Sequence, residues 1–130
     1  MTIVVGYTPT PAGRAALNTA ITEARKSDRP LVVVNTSRGD SLEDPAFAQP
    51  ADLDSVRATL EGAGVTFTIR QEVRGREAAD ELIDVLEEVG AELCVIGIRH
   101  RSAVGKMLLG SNAHRILMYS PCPVLTVRAA

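Results

Sequence analysis

The stretch LCVIGIRHRSAVGKMLLGS, residues 93–111, decides which fold this sequence predicts. Its short apolar run ending at Gly97 is typical of a strand, and a basic loop follows. The pair Gly110-Ser111 then predicts the start of a helix. A strand brings the chain to one edge of a sheet, and glycines let backbone N–H groups approach a ligand. The next helix presents unpaired N–H groups and the positive end of its dipole. This order predicts an anion site whose loop holds the phosphates of a nucleotide.

Charge is distributed unevenly along the chain. All 16 Asp and Glu residues lie within the first 92 residues, although the net charge is only -2. The rest of the chain is acid-free and carries Arg99, Arg101, Lys106, Arg115 and Arg128. A short cationic segment on an acidic protein favours a small anionic ligand over nucleic acid, which needs a broad basic face. A solvated loop with arginines at helix ends is the alternative.

Composition predicts one domain, residues 1–130, with a core of aliphatic side chains. Hydrophobic residues make up 45% of the chain but aromatic residues only 3%, which is typical of a parallel sheet packed under helices. No apolar run approaches the ~18 residues of a membrane span. The first residues lack the zones of a signal peptide, so we expect no membrane partner and a cytoplasmic location. Cys94 and Cys122 have no metal-ligand spacing, and we expect both to be reduced and structural.

Strand and helix patterns alternate along the whole sequence. Strands are predicted at 3–7, 31–34, 65–73, 93–97 and 124–127, and helices at 11–26, 53–63, 77–89 and 111–119, with a mobile loop at 37–50. The run at 31–34 has no alternation and predicts a strand buried on both faces, whereas 65–73 alternates as an edge strand does. Thr10 is the predicted N-cap of the first helix. The third helix is expected to bury Ala79, Leu82, Ile83 and Leu86.

This alternation predicts an α/β fold: a doubly wound, five-stranded, mostly parallel sheet with helices on both faces. Ligands of such sheets lie beyond the C-terminal ends of the strands, where the winding reverses. Thr8, Asn35 and the loop after Gly97 are expected to meet at that edge.

Four segments of the chain carry a family resemblance: Ile3–Gly6, Cys94–Gly97, Leu108–Ser111 and Pro121–Leu125. With them, the chain resembles the universal stress protein family over nearly its whole length. The nucleotide signature of that family is Gly, two residues, Gly, nine residues, then Gly followed by Ser or Thr. Gly97 matches its first position and Gly110-Ser111 its last. The resemblance implies a Rossmann-like fold, ligands of the ATP type, dimers formed through the last strand, and a regulatory role in stress.

Two residues depart from the family pattern. His100 stands at the second glycine of the signature, and Thr8 stands where an acidic residue usually ends the first strand. A histidine tolerates a positive φ, so the loop can keep its path, but an imidazole can also fill the space of a phosphate. A phosphate partner, a loop filler and a pH-sensitive gate all stay open for His100.

The predicted nucleotide site combines the loop, the next helix start and the ends of the first two strands. Its ligand is ATP or a related adenine nucleotide, which Mg²⁺ could accompany. The base is placed near Thr8, Asn35 and Thr36. The phosphates are placed on Gly97, Arg99, His100, Arg101, Ser102, Gly110, Ser111 and Asn112, and Gly105 and Lys106 complete the predicted nucleotide-binding residues. Ser111 is expected to cap its helix, either alone or while also donating to phosphate. A Walker-type loop is rejected, because it would need glycine at His100 and a hydroxyl at Met107.

No catalytic set stands out in the sequence, and no zinc spacing is present. The leading hypothesis is a nucleotide-binding regulatory protein that forms a homodimer through Val124, Leu125, Thr126 and Val127. A dimer that acts through protein contacts without a nucleotide is the first alternative. An enzyme that hydrolyses or transfers a nucleotide, even slowly, is the second.

Overall fold

The computed structural model describes residues 1–37, 48–73, 77–98 and 110–129. Strands and helices alternate along these residues. Their bounds are β1 (Thr2–Gly6), α1 (Pro11–Ser27), β2 (Leu31–Ser37), α2 (Pro50–Ala63), β3 (Phe67–Val73), α3 (Ala78–Val89), β4 (Ala91–Ile98), α4 (Ser111–Tyr119) and β5 (Val124–Arg128). None of the helices described is long and apolar enough to cross a membrane.

The strands form one parallel sheet in the order β3-β2-β1-β4-β5. β1 is central, with Val5 opposite Val33 of β2 on one side and Val95 of β4 on the other. The chain winds outward from β1 to β3 and then returns to place β4 on the opposite side of β1. The winding therefore reverses between β1 and β4, and the predicted doubly wound fold is confirmed.

Two apolar layers cover the sheet. One contains Val5 and Val33 with Leu17 of α1 and Leu60 of α2. The other contains Val4 with side chains of α3 and α4, among them Leu82, Leu86 and Ile116. Neighbouring residues of β1 thus enter opposite layers, as the pleat of a strand requires. Each buried Val or Leu contributes about 1.5–3 kcal/mol to folding, so these two layers supply most of the driving force.

Local signals in the sequence explain where the helices begin and end. The predicted cap of α1 is confirmed, since Thr10 Oγ1 accepts a hydrogen bond from the backbone N–H of Gly13 at 3.1 Å, with Pro11 in the first helical position. α2 opens with a capping box between Gln49 and Asp52. It ends at Gly64, whose φ of 72° is a left-handed conformation that glycine adopts without strain.

Three sequence predictions need correction. β2 continues to Ser37 and α2 begins at Pro50, so the loop is shorter than 37–50 at both ends; residues 38–47 lie outside those described. β3 begins at Phe67 rather than at 65, although it is an edge strand as predicted. In α3, Ile83 is only half-buried, while Val85 and Glu81 are buried. Ile83 lies at the margin of the apolar stripe, which helical geometry centres on Leu82 and Val85.

Candidate functional site

A crevice opens where the winding of the sheet reverses. The C-terminal ends of β1 and β4 form its floor, and the first turns of α3 and α4 form its walls. It encloses about 160 Å³. The described residues that line it are Gly6, Tyr7, Thr8, Val34, Ala78, Ala79, Leu82, Ile96, Gly97, Asn112, Ala113 and Ile116.

The lining is mostly apolar. Leu82, Ile96 and Ile116 are buried aliphatic side chains. None of the described lining residues carries a charged side chain, and polarity comes chiefly from Thr8 and Asn112. Apolar walls with a few polar groups are typical of sites for small organic ligands.

The N-terminus of α4 faces this crevice through Asn112 and Ala113. Gly110 is the N-cap, with extended backbone and no side-chain cap. The first backbone hydrogen bond of the helix runs from the His114 N–H to the Gly110 carbonyl at 3.0 Å, so the amides of residues 111–113 have no partner within the helix. The first turn contains no acidic residue. Such a helix end attracts anions.

Ser111 does not cap α4, so that prediction is wrong. A cap residue needs extended backbone, and Ser111 is already the first helical residue. Ser111 is exposed and precedes the lining residue Asn112, so the other prediction, donation to a phosphate, stays open.

The two glycines of the predicted signature differ in what surrounds them. A Cβ added at Gly97 would collide with the backbone carbonyl of Ala12. Gly97 is therefore needed for the close packing of α1 against the end of β4. No described atom lies within 4 Å of a Cβ added at Gly110, and its φ of -64° suits any residue. Packing among the described residues thus explains the first glycine but not the last.

Thr8 lies at the crevice with its hydroxyl already engaged. Thr8 Oγ1 is hydrogen-bonded to Thr10 Oγ1 at 2.8 Å, and Thr10 also caps α1. Gly13 passes so close that an added Cβ would overlap the Thr8 carbonyl. These contacts hold the end of β1 against the first turn of α1.

Asn35 lies away from the crevice. The neighbouring Val34 lines it, whereas the fully buried Asn35 makes hydrogen bonds elsewhere. Its amide donates to the Tyr7 carbonyl at 2.9 Å, and its Oδ1 accepts from the Ala48 N–H at 2.8 Å and from Gln71 Nε2 at 3.0 Å. Gln71 Nε2 also donates to the Ala48 carbonyl at 2.7 Å. Asn35 therefore links β2 to the end of β1, to β3 and to Ala48 through hydrogen bonds.

The structure brings together part of the predicted site. Thr8, Gly97 and Asn112 line one crevice, and Gly110 and Ser111 directly precede Asn112 in the chain. The backbone of Thr36 follows Asn35 in β2. The predicted residues Arg99, His100, Arg101, Ser102, Gly105 and Lys106 lie outside those described. Sequence analysis missed the alanines at the start of α3 and Ala113, because small apolar residues give no chemical signal.

Tyr7 is buried beneath the crevice, and this burial raises the pKa of its hydroxyl. The charge of Asp52 raises the pKa further, whereas that of Arg14 lowers it. Tyr7 is therefore neutral at physiological pH.

Both cysteines are free thiols, and burial together with nearby Cys122 raises the pKa of Cys94 to about 12. Within the described part of the chain, no group of three His, Cys, Asp or Glu residues could hold a metal ion.

The described residues thus define a class of protein: a doubly wound α/β fold with a crevice where the winding reverses and a helix N-terminus beside it. A model of the universal stress protein family matches residues 1–128. The chain belongs to that family, and the resemblance seen in its motifs is confirmed.

Similar proteins agree with this assignment. A universal stress protein from Mycolicibacterium smegmatis is 48% identical over 126 residues, covering 97% of this chain and 96% of that protein. A solved universal stress protein from Archaeoglobus fulgidus has a TM-score of 0.83 at 31% identity, covering 97% of both chains. Another solved structure from that organism, in complex with dAMP, has a TM-score of 0.75 at 24% identity over 97% of this chain and 96% of that one. At that identity, the likeness shows the fold alone.

Proposed function

We propose that this protein binds an adenine nucleotide in the crevice between β1 and β4 and acts as a regulatory protein. The observation that carries the proposal is the start of α4 beside a largely apolar crevice, where the N-cap Gly110 offers no side-chain cap and the first turn holds no acidic residue. The adenine and sugar would lie against the aliphatic lining, and the phosphate would accept hydrogen bonds from the backbone of residues 111–113. The site lies where doubly wound sheets generally bind ligands.

Family membership supports this proposal, because a structural neighbour of the same family was solved with dAMP. The proposal differs from the sequence prediction in the place of the base. Asn35 is committed to the network with Tyr7, Ala48 and Gln71, so we place the base against Leu82 and Ile116 instead. Calorimetry with both ligands distinguishes ATP with Mg²⁺ from a monophosphate.

The test is isothermal titration calorimetry of the purified protein with AMP and with Mg-ATP. The variant Ala113→Leu fills the crevice from α4, and Ala58→Leu makes the same change on the exposed surface of α2. We expect the parent and Ala58→Leu to bind at least one of the two nucleotides, and Ala113→Leu to bind at least tenfold more weakly. Absence of binding by the parent at millimolar concentration would refute the proposal.

We also propose that two copies associate through β5 and the adjoining end of α4. β5 is an edge strand of the described sheet, and an edge strand offers unpaired backbone groups to a second copy. Apart from Met1, the exposed large hydrophobic side chains among the described residues are Leu117, Met118, Tyr119 and Leu125. All four lie in α4 or β5, two consecutive elements, and exposed apolar side chains of this kind are typical of an interaction surface.

The same surface favours a second candidate function. A dimer that acts through protein contacts alone would need Met118 and Leu125 exposed but would not need the crevice. Adenine released on heat denaturation of a fresh preparation would exclude that candidate. A cytoplasmic location and the absence of nucleic-acid partners stay predictions of the sequence, and an enzyme that hydrolyses a nucleotide stays its second alternative.

A further inference from the structure

The two cysteines of the chain lie on the same side of the sheet. Cys94 is fully buried in β4, in the apolar layer that contains Val4, Leu82 and Leu86. Cys122 packs against the same layer from the turn that precedes β5. The two thiols are close enough for the charge of Cys122 to affect Cys94, and the chain contains no other cysteine. They therefore form a pair.

The pairing of β4 with β5 places Cys94 beside the turn that carries Cys122. The Cys94 N–H donates to the Pro123 carbonyl at 3.0 Å, and Cys94 lies opposite Val124 in the register of the two strands. Neighbouring strands lie about 4.8 Å apart and two extended residues advance about 6.6 Å, so extended chain before Val124 puts the two cysteine Cα atoms about 8 Å apart. A disulfide spans about 4.4–6.8 Å between Cα atoms, so a shift of about 1–2 Å in the turn allows the bridge.

The turn before β5 is held in place by Ser120 and two prolines. Ser120 Oγ donates to the Cys122 carbonyl at 2.8 Å and accepts from the Cys122 N–H at 3.2 Å, and it lies 3.6 Å from Cys122 Sγ. Pro121 and Pro123 flank the cysteine and restrict the backbone, because the ring of proline fixes φ. The Cys122 thiol is thus kept between the solvent and the apolar layer.

The two thiols suit different steps of an oxidation. Cys122 is half-buried and can be reached from the solvent, whereas Cys94 is fully buried. Burial raises the pKa of Cys94 to about 12, so this thiol stays neutral near physiological pH and is the less reactive of the two. A soluble oxidant therefore meets Cys122 first, and Cys94 is the neighbouring thiol that can react with the oxidised product.

We propose that Cys94 and Cys122 form a reversible disulfide when the protein meets hydrogen peroxide, so that the reduced pair is an oxidation site. The Cys122 sulfur attacks one oxygen of the peroxide, the O–O bond breaks, and the other oxygen leaves as water with the thiol proton. The Cys94 sulfur then attacks the sulfur of the resulting sulfenic acid. The S–O bond breaks, and the hydroxyl leaves as water with the Cys94 proton. Two thiols are thus oxidised while one peroxide is reduced to two waters. This inference does not rest on the proposed nucleotide site.

The test is peroxide treatment of the reduced full chain, followed by alkylation with N-ethylmaleimide and mass spectrometry. We expect a single-chain product that has lost the mass of two hydrogen atoms, takes up no N-ethylmaleimide and yields peptides joined through Cys94 and Cys122. Dithiothreitol should restore both thiols. A product that keeps the Cys94 thiol, such as Cys122 sulfinic acid or two chains joined through Cys122, would overturn the proposal. Absence of any oxidation would do the same.

Two single variants separate the two steps. Cys94→Ser is expected to stop at the Cys122 sulfenic acid, which dimedone traps, and Cys122→Ser should consume peroxide at least about tenfold more slowly than the parent. Equal consumption by Cys122→Ser and the parent would overturn the proposal, because Cys122 would not be the residue attacked first. If either variant does not fold, the joined peptides of the parent decide.

A glutathione redox buffer measures whether the fold favours the bridge. The fraction of bridged protein at a given ratio of reduced to oxidised glutathione gives the effective concentration of the two thiols, in the folded protein and in concentrated urea. We expect this concentration to be at least about tenfold higher in the folded protein, since the register of β4 and β5 keeps the cysteines adjacent. An equal or lower value in the folded protein would show that the fold holds the sulfurs apart, and the proposal would be wrong.

Discussion

At the scale of single residues, the two glycines of the signature serve different purposes. Gly97 is required by the packing of α1, since a Cβ there would overlap the Ala12 carbonyl, whereas Gly110 has open space around it. Gly97→Ala is expected to lower the free energy of unfolding by about 1–3 kcal/mol, the usual cost of overpacking. Gly110→Ala disturbs no packing and should cost less, at most about 1 kcal/mol, from the lower preference of alanine for an N-cap. Urea denaturation of both variants checks this, and equal losses would contradict the assignment.

The two thiols are also expected to differ. Cys94 is buried with a pKa of about 12, whereas Cys122 is half-buried and beside Ser120. Because the thiolate is the reactive form, Ellman's reagent at pH 8 should modify Cys122 first in the folded protein. Cys122→Ser should abolish the fast phase, and Cys94→Ser should leave it in place. A fast phase that survives Cys122→Ser would show that Cys94 is accessible.

The raised pKa of Cys94 also predicts an effect of pH on stability. Burial keeps the Cys94 thiol neutral in the folded state, whereas in the unfolded chain the thiol ionises near pH 9. The stabilisation of the folded state is therefore complete below pH 9 and is lost as pH rises toward about 12. The melting temperature of the parent should therefore fall more steeply between pH 9 and 11 than that of Cys94→Ser. Parallel curves for the two proteins would contradict this prediction, because other titrating groups are common to both.

At the scale of elements, Asn35 connects β1, β2 and β3. Asn35→Ala would leave the Tyr7 carbonyl, the Ala48 N–H and Gln71 without this partner, and buried polar groups left unsatisfied cost about 1–3 kcal/mol each. Gln71→Ala should cost less, because Asn35 still holds both Tyr7 and Ala48. Denaturant unfolding of the two single variants and the double variant measures their coupling. An Asn35→Ala loss no larger than that of Gln71→Ala would show that the network is not centred on Asn35.

The sequence predicts secondary-structure elements better than it predicts the contacts between those elements. The aliphatic run at 31–34 and the Thr10-Pro11 pair have local causes, so their strand and helix were predictable. The position of Asn35 was not predictable, because a one-residue step along β2 turns the side chain from the face of the crevice to the opposite face of the sheet. Its partners Ala48 and Gln71 are distant in sequence. The burial of Glu81 was equally hidden by its position among exposed acids of α3.

At the scale of the whole molecule, the crevice followed from topology. Strict alternation predicts parallel winding, and the reversal between β1 and β4 then places the ends of those strands together. Charge counting along the sequence pointed to the same edge, but it gave no information on Ala78, Ala79 or Ala113. These alanines leave room for the crevice because their side chains are small, and only the packed structure shows this.

The proposed dimer makes a prediction at this scale. Met118→Glu combined with Leu125→Glu would place two like charges per copy on the surface formed by α4 and β5. We expect this variant to elute as a monomer in size-exclusion chromatography with light scattering, while the parent elutes as a dimer. Thr22→Glu, on the exposed side of α1, is the matched control and should remain dimeric. A parent that is monomeric at 100 µM, about a hundred times the concentration at which a micromolar dimer forms, would contradict the proposal.

The most direct test of the nucleotide site is a titration of ¹⁵N-labelled protein with AMP, followed by amide chemical shifts. The account predicts saturable shifts concentrated on residues 111–113 at the start of α4 and on Thr8 and Gly97, with the amide of Gln71 in β3 unmoved. Shifts confined to other parts of the chain, or none at millimolar AMP, would contradict it.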